Sequence, residues 1–432
     1  MKQFEGKKLL ILGSNTMAPE IVEYAKENGA YTIVTDYLPI EKSNAKKIAD
    51  EVLNISTADT DKLVLFCREN NVNGVFAGIS EFNLLQAYEI SRQLGLRFYF
   101  DMEQWCQIEK KDQFRDLCSK NNVNAPQKYF SGTEKEYELF NNGCLTFPVV
   151  IKPVDGSSSQ GVTICNDKKT LQLAVKNAFG VSVTKKIIIE QFVYGYEFTA
   201  HYVICNGKAA LSCVDNRYPV SIHEGNVTTI PIARVYPALF QDLYEREINA
   251  QILALCESVG LKNAVLFVQG IFNENERKFY IFEAGLRSAG EAPCRFIERI
   301  TDQNHFFMLL DYILLGKTNY DLQKEQPKLG GKCCATISFA AKGGIVGNII
   351  GVDSVIKEIP QIVQFENRYP VGSETPNGDT LRQLMLRFVI ISESREELAS
   401  IVELLNKKIQ VEDVQGNNMV VTMDPWRVFG LV

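Results

Sequence analysis

The chain has 432 residues, room for about three domains at roughly 150 residues each. Apolar residues make up 46% and charged residues 23%, the balance of an ordinary globular chain. Lys and Arg number 46 against 52 Asp and Glu, a formal net charge of −6, so the chain lacks the basic excess that a nucleic-acid or anionic-membrane surface requires.

In chain order, residues 9–13 read as a buried strand ending in a turn at Gly13-Ser14-Asn15. The spacing of Ile21, Val22, Tyr24 and Ala25 predicts a helix with one buried face. A strand over 31–36, a helix over 60–69, a strand over 74–77 and a helix over 82–93 continue the alternation. Repeated β-α-β units imply a parallel sheet with right-handed crossovers, a Rossmann-like module. Asp36 stands where a ribose-binding acid would sit, but the turn lacks the G-x-G-x-x-G glycines, so NAD is not expected. Glu81, in the loop after the 74–77 strand, lies on the side where such sheets bind ligands and is a candidate substrate contact.

A helix over 106–130 is expected to break at Pro126. From Phe147 the pattern changes to strand, glycine-serine loop and strand. Residues 240–260 read as a helix, 264–271 and 278–283 as a hairpin with a polar turn, and 306–315 as a helix ending at Gly316. Polar residues 317–331, with Pro327 and Gly330-Gly331, suggest a boundary. The last hundred residues read as a small α+β domain with one helix over 395–408 and a terminal strand near 419–421.

Eleven cysteines occur without a CxxC pair, and three histidines are scattered, so neither a disulfide framework nor a zinc site is expected. The N-terminus shows no long apolar region with a cleavage site, and the most apolar stretches, 264–268 and 306–315, are too short to span a bilayer. A cytoplasmic protein with no membrane partner is the expectation.

Three groups of residues carry chemistry. Lys152 ends an apolar strand and precedes a small-residue loop with Gly156, Ser157, Ser158, Ser159 and Gly161. A strand-end lysine is a compact charge for a phosphate oxygen, and small residues expose backbone N–H groups to phosphates. A common glycine-serine hairpin is the plain alternative. Glu190 ends another apolar strand, and Glu197 follows seven residues later. Glu190 with the backbone of Gln191, Phe192 and Val193 could face an adenine, and Glu197 the ribose hydroxyls; two exposed acids flanking a turn is the alternative. Gln269 and Glu283 lie on paired strands, where two oxygens on one face can hold Mg²⁺ against phosphates. Arg287, four residues on, could bind a transferring phosphoryl group or simply pair with Glu283.

This order of lysine, glycine-serine loop, E-x-x-V-x-G-x-E linker and Q…E-x-x-x-R hairpin resembles the ATP-grasp superfamily. It looks most like the carbamoyl phosphate synthetase large subunit and the single-chain amino-acid ligases. The resemblance covers residues 1–315 and, more weakly, 331–432, which is similar to the C-terminal domain of amino-acid ligases and biotin carboxylase. It implies an α/β and α+β chain in three parts: a Rossmann-like domain (1–105), an ATP-grasp domain (106–330) with a mobile lid at about 120–193, and a C-terminal α+β domain (331–432). It implies that Lys111 supplies an early nucleotide-contacting cation and that His223 lies beside the nucleotide. Two departures stand out. Gly285 occupies the place of a metal-binding Asn, and three serines stand where the synthetase loop is glycine-rich.

The implied chemistry is carboxylate activation. ATP phosphorylates a carboxylate to an acylphosphate, an amine attacks, and an amide, ADP and phosphate leave. Lys152, Ser159 and Arg287 form the implied catalytic set, with ATP and Mg²⁺ (Mn²⁺ as the alternative) as cofactors. Lys111 and Lys152 would offset the repulsion between anions, and residues 157–161 would close and exclude water. Partners would be a small-molecule carboxylate and amine, with a homodimer as one open assembly state. Arg217 and Arg295, beside Glu81 and Arg287, are candidate substrate contacts. A single module with no biotinyl-lysine segment and no room for a glutaminase points to an amine or free ammonia as nitrogen donor. The alternatives are carboxylase- or kinase-like acylphosphate chemistry, and a degenerate nucleotide-binding regulatory protein.

Overall fold

The computed structural model describes residues 2–14, 17–156, 160–220, 230–378 and 380–431. Strands Lys8–Leu12, Tyr31–Thr35, Glu51–Leu53 and Gly74–Ala77 form a parallel sheet in which the first strand lies between the second and the fourth. Leu9 to Leu12 are all buried, as a strand covered on both faces requires. Chain order reverses beside that first strand, so the loops after Leu12 and Ala77 flank the crevice where open α/β sheets take ligands. Glu81 opens helix Glu81–Leu94 on one side, and helix Ala18–Glu27 starts on the other with Pro in its first turn. Asp36 is engaged elsewhere: Lys46 binds its carboxylate at 2.9 Å, and the Leu38 N–H donates to it at 2.7 Å.

The helix expected over 106–130 is instead two helices, Met102–Glu109 and Lys111–Lys120, followed by strand Lys128–Thr133. Lys110 is extended (φ −83°, ψ 118°), which breaks the first helix and re-aims Lys111. Strand Lys128–Thr133 edges a four-stranded sheet, followed in order by Lys186–Gln191, Val149–Pro153 and Thr163–Cys165, with every pair antiparallel. Helix Lys168–Val181 covers one face of this sheet. Its Leu171, Ala174, Val175, Ala178 and Phe179 recur at helical spacing and meet Val149, Ile151, Ile187 and Ile189 in a core of their own.

A nine-stranded sheet forms the body. Its strands run in the order Lys278–Gly285, Ala264–Asn273, Tyr196–Cys205, Lys208–Val220, Ile230–Tyr236, Cys333–Ala341, Leu384–Ser392 and Ile362–Asn367, with Val420–Val421 beside Cys333–Ala341. The sheet continues across residues 317–331, because the fully buried strand Cys333–Ala341 pairs with Ile230–Tyr236. The polar segment there is a pair of 3₁₀ turns, Leu322–Lys324 and Leu329–Gly331. The helix expected over 240–260 divides at Ile248 (φ −133°) into Gln241–Glu247 and Asn249–Ser258. All eleven cysteines are free thiols. Among the described residues no helix is long and apolar enough to cross a membrane.

Candidate active site

Residues directly opposite each other in neighbouring strands point to the same face. Glu283, Gln269, Thr199 and Asp215 are opposite one another across four strands. Arg217, two residues beyond Asp215, faces Arg234, which faces Thr336. Ser338, Arg387 and Glu366 form the next row. One face of the large sheet therefore carries a polar stripe across eight strands. Its middle is a buried ionic network. Arg234 donates to Asp215 at 2.8 Å and to Thr199 Oγ1 at 2.5 Å, and its Nε lies 2.6 Å from Glu291. Burial opposes ionisation of Asp215, but Arg234 and His201 beside it hold the carboxyl below the usual range. His201 thus packs inside this network, 3.8 Å from Asp215.

The lid contributes the next cluster. Glu190 is buried, with one carboxylate oxygen 2.5 Å from Arg115 Nε and the other 2.6 Å from Lys152 Nζ. Burial alone would raise the Glu190 pKa, yet Arg115 and Lys152 hold it at about 2. Burial lowers the Lys152 pKa, against the pull of Glu190. Arg115 also donates to the carbonyls of Ile281 (3.0 Å) and Phe282 (2.8 Å), so one guanidinium ties the lid to the strand that carries Glu283. Lys111 Nζ donates to the Gly156 carbonyl at 2.6 Å, which fixes the start of the small-residue loop. Gly161 ends that loop at φ +72°, where a Cβ would sit 2.9 Å from Pro153. Both Glu190 oxygens are engaged, which leaves the following linker to face a base. There Val193 is buried and the Phe192 and Tyr194 rings meet edge to face at 4.7 Å.

Gln269 donates its amide to Thr199 Oγ1 at 3.4 Å, leaving its carbonyl oxygen unengaged among the described residues. No hydrogen bond or ion pair to Glu283 occurs among them either. Two oxygen donors with free lone pairs on one face fit a hard divalent cation such as Mg²⁺. Gly285 adds no ligand, and nothing larger fits there: a Cβ would lie 2.4 and 2.5 Å from ring atoms of Phe267, its partner on the next strand. The same ring carries the Arg287 guanidinium, 5.0 Å from its centroid. Arg287 therefore does not pair with Glu283. Its Nε is buried without a partner among the described residues.

Sequence reasoning missed Glu109. It is half-buried and accepts the Leu286 N–H at 2.7 Å, one residue before Arg287. Burial pushes its pKa up to about 7; Arg287 pulls it down, while Glu81 and Glu283 push it up. Arg287, Glu81 and Glu283 thus all lie near enough to Glu109 to act on its charge. Two residues on, the sequence drew attention to Lys111 alone.

The remaining candidates divide. Glu197 and Arg217 form an ion pair with each other. Arg295 is buried and bound to Glu20 at 2.9 Å, so it joins the first helix of the N-terminal module to helix Cys294–Thr301. Glu81 lies at the sheet crevice, near enough to Glu109 to act on its charge. Ser157, Ser158, Ser159 and His223 lie outside the described residues.

A parallel module, a four-stranded lid and a large sheet with its polar stripe between them are the ATP-grasp fold, and the resemblance read from the sequence holds. A family model described as the D-Ala–D-Ala ligase C-terminus matches residues 119–223. A formate-dependent phosphoribosylglycinamide formyltransferase of Prochlorococcus marinus subsp. pastoris is 30% identical over 203 residues, covering 46% of this chain and 50% of that one. The chain thus spans about half the length of that relative. Among solved structures, an L-amino acid ligase from Bacillus licheniformis superposes with a TM-score of 0.78 at 17% identity, covering 95% of this chain and 99% of that one. The biotin carboxylase domain of a Hydrogenobacter thermophilus 2-oxoglutarate carboxylase, solved with MgADP and bicarbonate, gives 0.74 at 16% identity, covering 98% and 93%.

Proposed function

We propose that the chain is an ATP-dependent ligase that activates a carboxylate as an acylphosphate and joins it to an amine, releasing ADP and phosphate. One observation carries this reading. Arg287, free of any carboxylate partner among the described residues, follows the oxygen-donor pair Gln269 and Glu283 in the chain and lies near enough to Glu109, whose pKa is pushed up to about 7, to act on its charge. A phosphoryl group needs the arginine and the oxygen pair, and an amine that must lose a proton needs Glu109.

ATP would lie between lid and sheet. Lys111 and Lys152 face its phosphates, residues 156–161 (Gly156, Ser157, Ser158, Ser159, Gly161) close over them, Phe192 and Val193 line the base, and Glu197 and His223 complete the nucleotide contacts. Gln269 and Glu283 would hold Mg²⁺, or Mn²⁺ in its place, which when bound screens phosphate charge. The substrate carboxylate oxygen attacks the γ-phosphorus and the bond to the β-phosphate oxygen breaks. Arg287 binds the oxygens on which charge builds. The amine nitrogen then attacks the acyl carbon, phosphate leaves, and Glu109 takes the amine proton. Glu81, Arg217 and Arg295 border the substrate side. The setting proposed is cytoplasmic, with small-molecule substrates and a homodimer as the assembly to test.

The test is ADP release measured with MgATP over a panel of carboxylates crossed with amines. Amine-dependent ADP release is expected; release driven by bicarbonate alone would favour carboxylase-like chemistry, and tight ATP binding without turnover a regulatory role. Arg287→Ala should lower turnover by about 10²–10³-fold, the usual cost of one transition-state donor. Near-normal turnover in that variant would reject the assigned role.

A further inference from the structure

We infer that this site holds one divalent cation and not two, because the Phe267 ring and the Arg287 guanidinium above it fill the place beside Glu283 where a second ion would need its ligands. The inference rests on the nucleotide site proposed above and deepens it.

Many phosphoryl-transfer sites use two divalent ions about 3.5–4 Å apart. Each ion then needs oxygen donors of its own. Here the donors run out. Gln269 and Glu283, opposite in register, are the oxygen pair. The next row on the same face, two residues along each strand, is Gly285, Phe267 and His201. Gly285 has no side chain to offer. A Cβ there would lie 2.4 and 2.5 Å from Phe267 ring atoms, so the ring occupies the volume into which a ligand from that position would extend. His201 is one strand further on, buried, with its Nε2 3.8 Å from Asp215. Among the described residues no group of three His, Cys, Asp or Glu side chains is placed to hold an ion.

The place is also charged. The Arg287 guanidinium lies 5.0 Å from the centroid of the Phe267 ring, and an arginine carries its charge permanently. A fixed cation there repels a second divalent ion and offers phosphate oxygens part of the charge that ion would have brought. Phe267 is thus a positioning residue. Its face seats the guanidinium by cation–π attraction without using up the N–H donors, and the Arg287 Nε has no partner among the described residues.

The plain rival is that Gly285 only makes room for a packed ring, and a second ion binds through water and phosphate oxygens alone. Counting ions separates the two. The full chain is titrated with Mn²⁺ at saturating AMPPNP, a nonhydrolysable ATP analogue, and bound Mn²⁺ is read by electron paramagnetic resonance. One Mn²⁺ per bound nucleotide is expected, with the line pattern of an isolated ion. Two per nucleotide, or the broadening of a coupled pair, would overturn the inference, and this wild-type count decides it without any variant. Phe267→Asn removes the ring and supplies an amide oxygen in its place, so it should raise the count to two. Phe267→Ala combined with Gly285→Asn should do the same from the neighbouring strand. A count of one in folded, nucleotide-binding preparations of these variants would overturn the role given to Phe267. No binding of AMPPNP at all would overturn the nucleotide reading and this inference with it. One Mn²⁺ per nucleotide in a chain that releases no ADP with any carboxylate and amine would uphold this inference and overturn the ligase reading alone.

Discussion

Glu190 is the electrostatic node of the lid, and Glu190→Gln is the most direct way to test it. Its carboxylate joins Lys152 of one lid strand to Arg115, which in turn holds two carbonyls next to Glu283. The carboxyl is held at about 2, well below the ordinary glutamate value of 4.5. That gap corresponds to about 3 kcal/mol of folding free energy at neutral pH, and removal of one member of a buried pair ordinarily costs about 3–5 kcal/mol. The sign follows from the depressed pKa: this stability is complete above pH 4.5 and is lost as pH falls toward 2. By pH 3.5 on the order of 1 kcal/mol of it should be gone. The assay is urea unfolding of wild type and Glu190→Gln at several pH values. Hydrogen exchange on peptides covering 149–153 and 186–191 would locate the effect in the lid. The wild-type advantage should be flat from pH 8 to 5 and shrink below. A difference under about 0.5 kcal/mol at pH 7, or one that persists undiminished at pH 3.5, would refute the reasoning.

Gly285→Asn should destabilise the protein by about 1–3 kcal/mol, because its Cβ enters the Phe267 ring and displaces the seat of Arg287. Phe267→Ala in the same chain should recover part of that loss, read as non-additivity in a double-mutant cycle. Because the Glu109 pKa is raised to about 7, its ionised form accumulates as pH rises through 7, and kcat/KM should rise with it. Glu109→Gln should flatten that limb. A raised carboxyl pKa also costs stability as pH climbs from 4.5 to 7, so Glu109→Gln should melt higher than wild type at pH 8 and level with it at pH 4.

Much of the site was legible because it is built from local patterns. A lysine at a strand end and an acid closing an apolar strand are local features: Lys152 and Glu190 do lie at the ends of strands Val149–Pro153 and Lys186–Gln191, although Glu190 pairs with Arg115 and Lys152 instead of facing a base. Gln269 and Glu283 could be set opposite each other because one hairpin decides their register, although the bulge after Gln269 could not be seen. What stayed hidden is pairing over long sequence separations. Glu109 meets Leu286 across 177 residues, and Arg295 meets Glu20 across 275. No periodicity encodes either contact. The continuous sheet was missed for the same reason: Ile230–Tyr236 and Cys333–Ala341 pair across a segment whose composition looks like a linker. Gly285 was legible only as a departure. Its cause lies on the neighbouring strand, in a ring that needs the missing side chain's space.

These hidden contacts change what the visible residues mean. Read singly, Lys152, Arg295 and Arg217 are cations awaiting an anion. In the fold each already faces an acid of the chain: Glu190, Glu20 and Glu197. A phosphate approaching Lys152 must therefore share that lysine with Glu190. The acid opposes the burial that would otherwise drive Lys152 toward its neutral form, so it preserves the charge for which the phosphate competes. Arg287 has no such internal partner among the described residues. Its charge meets a ring face and, at a distance, the Glu109 carboxyl; one N–H donates to the Ser288 carbonyl at 3.3 Å, and the unpartnered Nε is left for an anion that exists only during transfer.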